Sequence, residues 1–371
     1  MHIAIDGYEA NSDKLVGVGT WASEIIKHLY KIDSQNEYTI FLPALPANLP
    51  KQRENWHYKV IPSKGFWTFT SLPFGIWTTP DIDVFFSPTH YIPRFVNTRR
   101  IVSIMDLSYL HYPRLFRQKD RYQLKNWTKY SIKNAAKIIT ISHFTKSEII
   151  KYYSIPEEKI VVAYPGLNET YHNPKSQNPS VDIKSKYHIL GDYILFVGTI
   201  QPRKNISRLL DAYVLAVNKC GNETIKLILV GKKGWLYEEI FQKAKKLNMS
   251  NKIIFLDFVP DSDMPYLYKN AAAFILPSLY EGFGIPVIEA LSSGVPTVIS
   301  DTTSLPEVGS DASIYIDPEN IDSIKDGIIK AITLTPVKKA EMVKRGYRQA
   351  SKFSWTNSAK IVLNTFKGII K

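Results

Sequence analysis

Residues 277–290 read Pro277-Ser278-Leu279-Tyr280-Glu281-Gly282-Phe283-Gly284-Ile285-Pro286-Val287-Ile288-Glu289-Ala290, directly after the apolar run 271–276 (AAAFIL). An apolar run of this length is a buried strand. The glycine-bearing loop after it opens a helix, with Pro286 in the first turn, where a missing N–H costs nothing. Such a loop offers backbone N–H groups and the helix N-terminus adds partial positive charge, which together suit a phosphate. Glu281 precedes the turn and Glu289 lies about one helical turn inside. A carboxylate accepts two hydroxyl donors, so both glutamates are expected to face a cleft, each beside the bound anion and paired with vicinal sugar hydroxyls. The same spacing also fits an ordinary strand–loop–helix with surface glutamates.

Working backwards, Phe196-Val197-Gly198-Thr199-Ile200-Gln201-Pro202-Arg203-Lys204-Asn205 repeats the theme of a strand end before a helix. Cations at a helix start oppose its dipole by roughly 0.3–1 kcal/mol, so Arg203 and Lys204 are expected to hold an anion there. A solvated basic turn is the other reading.

Around these segments, strands alternate with helices. Predicted strands are 193–197, 226–230, 253–256, 273–276 and 297–300 in the second half, with 2–6, 38–43, 58–61, 84–87, 100–104 and 136–142 in the first. This alternation predicts an α/β chain of two Rossmann-like domains, with parallel sheets facing a central cleft and ligands at the strands' carboxyl ends. A polar, Pro- and Asn-rich stretch over 168–186 is the linker candidate. We therefore expect one domain at 1–175, a second at 188–350, and a closing helical segment at 351–371.

Composition narrows the class. The 371 residues are 44% hydrophobic and 22% charged, enough apolar material for two interiors. The lone Cys220 excludes a disulfide framework and a Cys-x-x-Cys redox site and fits a reducing, cytoplasmic setting. The start is too soon acidic for a signal peptide, and no run of about 18 apolar residues occurs. Net charge is +13, and 94–151 holds thirteen Lys/Arg against Asp106, Asp120 and Glu148. That field attracts polyanions, among them anionic lipid and diphosphate-linked substrates.

Gly-Thr-x-x-Pro-Arg-Lys-Asn at 198–205, with Glu-Gly-Phe-Gly-(x)4-Glu at 281–289, resembles the retaining glycosyltransferases of family four (group 1), bacterial polysaccharide mannosyl- and rhamnosyltransferases included. Gly17-Val18-Gly19, Ser142-His143-Phe144-Thr145-Lys146, Tyr164-Pro165-Gly166, Gly294-Val295-Pro296-Thr297-Val298 and Phe353-Ser354-Trp355 extend the resemblance along nearly the whole chain. It implies a GT-B fold in which the domain at 1–175 binds the acceptor, the domain at 188–350 binds the nucleotide sugar and the helix over 351–371 returns to the first domain. It also implies that Arg203 and Lys204 hold the donor's diphosphate, that Glu281 contacts the transferred sugar and that Glu289 binds ribose hydroxyls. Gly198 and the backbone around Phe283, Gly284, Ile285, Pro286 and Val287 would meet sugar and phosphate. Gly17 and Gly19 would close over the diphosphate, and Val259, with its neighbours Phe258 and Pro260 and with Gly231, would flank the base. One departure is Met105-Asp106, where many relatives carry His-Asp. Met can neither donate nor take a proton, so either Asp106 supplies the polar group there or the departing phosphate takes the acceptor proton.

The implied activity is metal-independent, retaining transfer of a hexose, mannose from GDP-mannose as first guess, to a glycan or lipid-linked acceptor. No cofactor beyond the donor and no nucleic acid is expected. The alternative class is a non-catalytic nucleotide-sugar or polyanion-binding protein. Arg117, Arg121, Lys125, Lys129, Lys133 and Lys137 recur every fourth position and read as a solvated helix face or as an attraction to the inner face of an anionic membrane. The aromatic segment 66–77 (FWTFTSLPFGIW) fits an interfacial anchor, an acceptor cavity or core. Asp81-Ile82-Asp83 and Asp261-Ser262-Asp263 mimic a metal-binding Asp-x-Asp, and no Walker loop or Gly-x-Gly-x-x-Gly follows the first strand.

Overall fold

The computed structural model describes residues 1–12, 15, 17–63, 65–172, 182–222, 224–249 and 251–370. Contacts divide the chain into one unit of Met1–Gly166 with Ser354–Lys371 and a second of Leu167–Phe353. Part of the predicted linker, 173–181, lies outside the described residues, as does residue 175. One-turn helices, Glu169–His172 and Ile183–Lys186, flank it.

The first unit holds β1 (His2–Asp6), β2 (Glu37–Leu42), β3 (Trp56–Val60), β4 (Val84–Ser87), β5 (Arg99–Ile104), β6 (Lys137–Thr140) and β7 (Ile160–Val162), in the order β3-β2-β1-β4-β5-β6-β7. Every pairing is parallel. Parallel strands covered on both faces bury every side chain, and β1 and β4 accordingly read as unbroken apolar runs with Ile3, Ala4, Ile5, Val84, Phe85 and Phe86 sealed from solvent.

The second unit holds β8 (Tyr193–Val197), β9 (Lys226–Val230), β10 (Ile253–Leu256), β11 (Ala273–Leu276), β12 (Thr297–Ser300) and β13 (Ile314–Ile316), in the order β10-β9-β8-β11-β12-β13, again all parallel. Strand order reverses between β8 and β11, so two consecutive crossovers leave in opposite directions there. That is the place where an open α/β sheet binds ligands. Both edge strands the sequence pattern did not suggest, β7 and β13, are only three residues long, too short to carry a periodic signal.

The closing helix Trp355–Ile370 belongs to the first unit and packs on the helix Val18–Ile32. Trp355 meets Trp21 at 5.8 Å between ring centroids, Phe366 meets Phe86 at 5.4 Å, and Arg99 Nη1 donates to the Ile369 carbonyl at 2.7 Å. Ser358 Oγ donates to the Tyr164 carbonyl. A Cβ on Gly166 would lie 2.1 Å from the Trp355 nitrogen, so the two backbones approach as only glycine permits. Tyr164-Pro165-Gly166 and Ser354-Trp355 are thus one packing motif split across the sequence, while Phe353 belongs to the second unit.

Candidate active site

The loops leaving β8 and β11 are stitched together. Leu279 N–H donates to the Arg203 carbonyl at 2.9 Å, and Asn205 Nδ2 donates to the carbonyls of Pro277 (3.0 Å) and Pro318 (2.6 Å). Ser300 Oγ holds the Ser278 carbonyl at 2.8 Å, and Ser304 Oγ bridges the carbonyls of Glu281 and Phe283 at 2.9 and 3.0 Å. Backbone groups that a loop would otherwise leave unmade are therefore satisfied by buried side chains, which fixes the loop in one conformation.

Arg203 and Lys204 lie in a 3-10 turn, Pro202–Lys204, and the left-handed Asn205 separates them from the helix Ile206–Cys220. Their charges thus stand one turn ahead of that helix rather than on its first turn. The anion they already hold is internal. Lys204 Nζ is ion-paired with Glu281 Oε1, and Arg203 Nη1 lies 3.5 Å from Glu281 Oε2 while donating to the Tyr280 carbonyl at 2.5 Å. Ser278 Oγ adds a bond to Glu281 Oε1 at 2.7 Å. Glu281 is 6% exposed and Lys204 8%. This corrects the expectation of an open acidic pair: Glu281 is turned inward onto both cations. Local spacing carries no sign of it, because the partners stand 77 residues apart. The Arg203 Nε donor is shielded from solvent and, among the described residues, has no hydrogen-bond partner.

Burial alone would push the Glu281 carboxyl up. The Lys204 ammonium and Arg203 guanidinium, with the bonds from Lys204 and Ser278, outweigh burial and hold it below the usual glutamate range. Glu289 goes the other way. Burial pushes its carboxyl up to about 7, and nearby Asp261 adds to the rise against the bonds from Tyr268 and Tyr171. Tyr268 hydroxyl donates to Glu289 Oε2 at 2.8 Å, and the Tyr171 and Tyr268 rings meet at 6.0 Å. Two carboxylates eight residues apart are thereby tuned to different protonation states, a pattern that accompanies divided roles. Sequence reasoning missed Ser278, Tyr171 and Tyr268; the tyrosines are indistinguishable from core aromatics without the fold.

The remaining expected residues of this unit fall around the same sheet edge. Gly198 follows β8, its N–H bonded to the Val230 carbonyl at 2.9 Å. Gly231 packs on it so closely that a Cβ would lie 2.0 Å from the Gly198 carbonyl oxygen. Val259, buried, follows β10 beside the exposed Phe258. Phe283 is buried edge-on against Phe353 at 5.3 Å. Gly284 caps the helix Ile285–Ser292 at φ 103°, with Pro286 in the first turn and Val287 N–H returning to the Gly284 carbonyl at 2.9 Å. Left-handed backbone with Leu305 2.8 Å from a would-be Cβ leaves only glycine at 284.

In the first unit, Gly17 (φ 51°) and Gly19 open the helix Val18–Ile32. Asp106 follows β5, and one of its oxygens accepts from Ser108 N–H at 2.9 Å and Ser108 Oγ at 2.7 Å, fixing the turn into Ser108–His111. Met105 is buried. Asp6, at the end of β1, is a buried carboxylate that the sequence reading passed over. Burial raises it to about 6 against bonds from Trp67 Nε1 (2.9 Å) and Tyr8 N–H (3.1 Å).

Neither Asp-x-Asp is poised for a metal. Asp83 accepts from His2 N–H at 2.8 Å, and Asp263 accepts from Lys186 and the Tyr187 hydroxyl, both at 2.6 Å. Among the described residues no three His, Cys, Asp or Glu side chains converge on a metal site. The basic row is shorter than its spacing suggests: Arg117 caps the helix Gln118–Asn134 and Lys137 lies in β6, leaving Arg121, Lys125, Lys129 and Lys133 exposed along one helix. The aromatic segment divides, with Trp67, Leu72 and Ile76 in the core and Phe66, Phe74 and Trp77 exposed. Among the described residues no helix is long and apolar enough to cross a membrane.

Comparison with known proteins matches residues 16–171 to the model of Glycosyltransferase Family 4 and residues 189–349 to that of Glycosyl transferases group 1. O-antigen chain mannosyltransferase B of Escherichia coli is 35% identical over 286 residues, 76% of this chain and 74% of that protein. The chain belongs to the family 4 (group 1) glycosyltransferases. Solved structures share the GT-B fold of this glycosyltransferase. Sucrose-phosphate synthase from Thermosynechococcus elongatus superposes with a TM-score of 0.78 over 99% of this chain and 98% of that one, at 15% identity. Anabaena Alr3699/HepE, solved in complex with UDP-glucose, gives 0.76 over 99% and 100%, at 19% identity.

Proposed function

We propose that this glycosyltransferase moves mannose from GDP-mannose to a hydroxyl of a glycan or lipid-linked acceptor of O-antigen type, retaining the α configuration and needing no metal or cofactor. The observation that carries the reading is the buried Arg203–Lys204–Glu281 cluster at the β8/β11 reversal. Cleavage of a nucleotide sugar builds negative charge on the leaving diphosphate. Two preorganised cations in a site of low dielectric stabilise that charge more than water does. Without a ligand, the buried Lys204 and its half-buried neighbour Arg203 repel each other and suffer desolvation, and Glu281 offsets both. The cluster retains one net positive charge and the unspent Arg203 Nε donor for the incoming diphosphate. With the diphosphate in place, Glu281 is released from its counter-ion duty to accept hydroxyls of the transferred sugar, and Glu289 accepts those of the ribose. Gly198 and the amides of 283–287 line the phosphate, Val259 flanks the base, and Gly17, Gly19 and Asp106 serve from the first unit.

Mannose rests on the 35% relative, whose name states a mannosyltransferase. Incubating the chain and an α-mannotriose acceptor with GDP-mannose, UDP-glucose, UDP-galactose or dTDP-rhamnose, with and without EDTA, tests donor and metal together. Release of GDP from GDP-mannose alone, unaffected by EDTA, and an α-linked product by NMR are expected. Turnover only with another donor overturns mannose, and stabilisation by GDP with no turnover of any donor favours a binding protein. The exposed row Arg121, Lys125, Lys129 and Lys133 supports a peripheral place on the inner face of the membrane, where each basic residue is worth about 1 kcal/mol. Sedimentation with phosphatidylglycerol vesicles at low salt is the expected result, and none at all sinks that placement.

A further inference from the structure

A surface pocket of about 550 Å3 in the first unit lies within the roughly 300–1,000 Å3 typical of small-molecule sites. Its lining is Phe66, Phe69, Arg94, Tyr122, Asn126 and Trp127. These come from the turn after β3, the segment after β4, and the first two-thirds of the helix Gln118–Asn134 that follows β5. Gly17 and Asp106 follow β1 and β5 of the same sheet. Trp67, bonded to Asp6 at the end of β1, ties the first turn down, and Phe69 meets Trp127 edge-on at 4.4 Å. The Arg94 guanidinium lies 4.4 Å from the Tyr130 ring centroid and 5.9 Å from that of Phe69, while its shielded Nε has no hydrogen-bond partner among the described residues.

We propose that this pocket is a saccharide subsite holding a neutral pyranose ring of the acceptor glycan, a proposal that rests on the chain's reading as a transferase to a glycan. A pyranose offers a flat C–H face to aromatic rings and hydroxyls at its rim. The walls here supply four rings for the C–H face, and one guanidinium and one amide for the hydroxyls. A hydrocarbon tail would strip water from the Arg94 guanidinium and give its Nε nothing to bond, which costs more than the rings return. A bare phosphate would meet one cation and have no use for the rings.

The test titrates the full chain with α-mannotriose, maltotriose, cellotriose and chitotriose by saturation-transfer NMR. Phe66 and Tyr122 are 75% and 69% exposed, so Phe66→Ala with Tyr122→Ala removes stacking surface without opening the core. At least one trisaccharide binds the parent and weakens about tenfold or more in the double variant, as two lost ring contacts imply. Arg94→Gln weakens the same trisaccharide. Thermal stabilisation by GDP stays at the parent level in both variants. Loss of GDP response in the parent would sink the donor reading while leaving the saccharide titration to judge the pocket. The subsite is overturned if none of the four binds, if binding survives the double variant, or if phosphatidylglycerol vesicles or inorganic phosphate displace the bound sugar.

Discussion

Lys204→Met removes the ammonium and keeps most of the stem. Glu281 would then retain Ser278 at 2.7 Å and a guanidinium at 3.5 Å, in a place where only 6% of the residue meets solvent. Breaking one side of a buried pair costs about 3–5 kcal/mol, because the partner's charge is left stranded. Arg203 and Ser278 remain, so the lower end, about 3 kcal/mol, is the expected loss. For a unit of this size each kcal/mol moves the midpoint by about 2–4 °C, which gives a fall of about 6–12 °C by calorimetry. Adding Glu281→Gln removes the stranded charge, and the double variant should regain about 2 kcal/mol relative to additivity. Turnover should not return: each variant lacks a group that acts on the developing charge, and a loss of about 10²–10³ in rate is expected. A midpoint for Lys204→Met within about 2 °C of the parent, or a double variant less stable than both singles combined, would refute the coupling. Recovery of both stability and turnover would show that the cluster is purely structural.

Three further outcomes follow from the same geometry. Arg203→Ala should lower turnover about 10²–10³-fold with a smaller thermal shift than Lys204→Met, because Arg203 is half-buried; equal rates in the variant and parent would remove it from the reaction. Glu289 ionises near 4.5 when unfolded and about 7 when folded, so the folded form binds the extra proton. Its contribution to stability is full below pH 4.5 and is lost as pH rises through 7, whereas donor binding, if the carboxylate accepts ribose hydroxyls as proposed, should strengthen over that window. Glu289→Gln should flatten both trends in thermal melts and nucleotide titrations, and unchanged slopes would count against it. Gly231→Ala sets a methyl 2.0 Å from the Gly198 carbonyl oxygen, a backbone atom that cannot swing aside, so we expect a loss of several °C in the melting point and weakened nucleotide binding.

The strand–loop–helix at 277–290 and the β8 loop are legible because each is local: an apolar run, a glycine, a proline one residue into the helix. What is illegible is which loop meets which. Lys204 and Glu281 form one ion pair only because β8 and β11 are neighbours at the strand-order reversal, a property of topology rather than spacing. Glu289's protonation likewise depends on Tyr171 and Tyr268, which reach it from elements that precede it by 118 and 21 residues. The segment 66–77 resisted a single reading because it has no single environment, its residues turning alternately inward and outward.

The helix Trp355–Ile370 carries a consequence for biogenesis. It completes the wall beside Trp21 and Phe86, yet about 200 residues separate Gly166 from its end. At about 5–20 residues per second, a ribosome takes about 10–40 s to cover that distance. The second unit, one unbroken stretch of chain, can close while its elder sibling still waits, apolar flank bare, for its missing stave. Chaperones would find their window there.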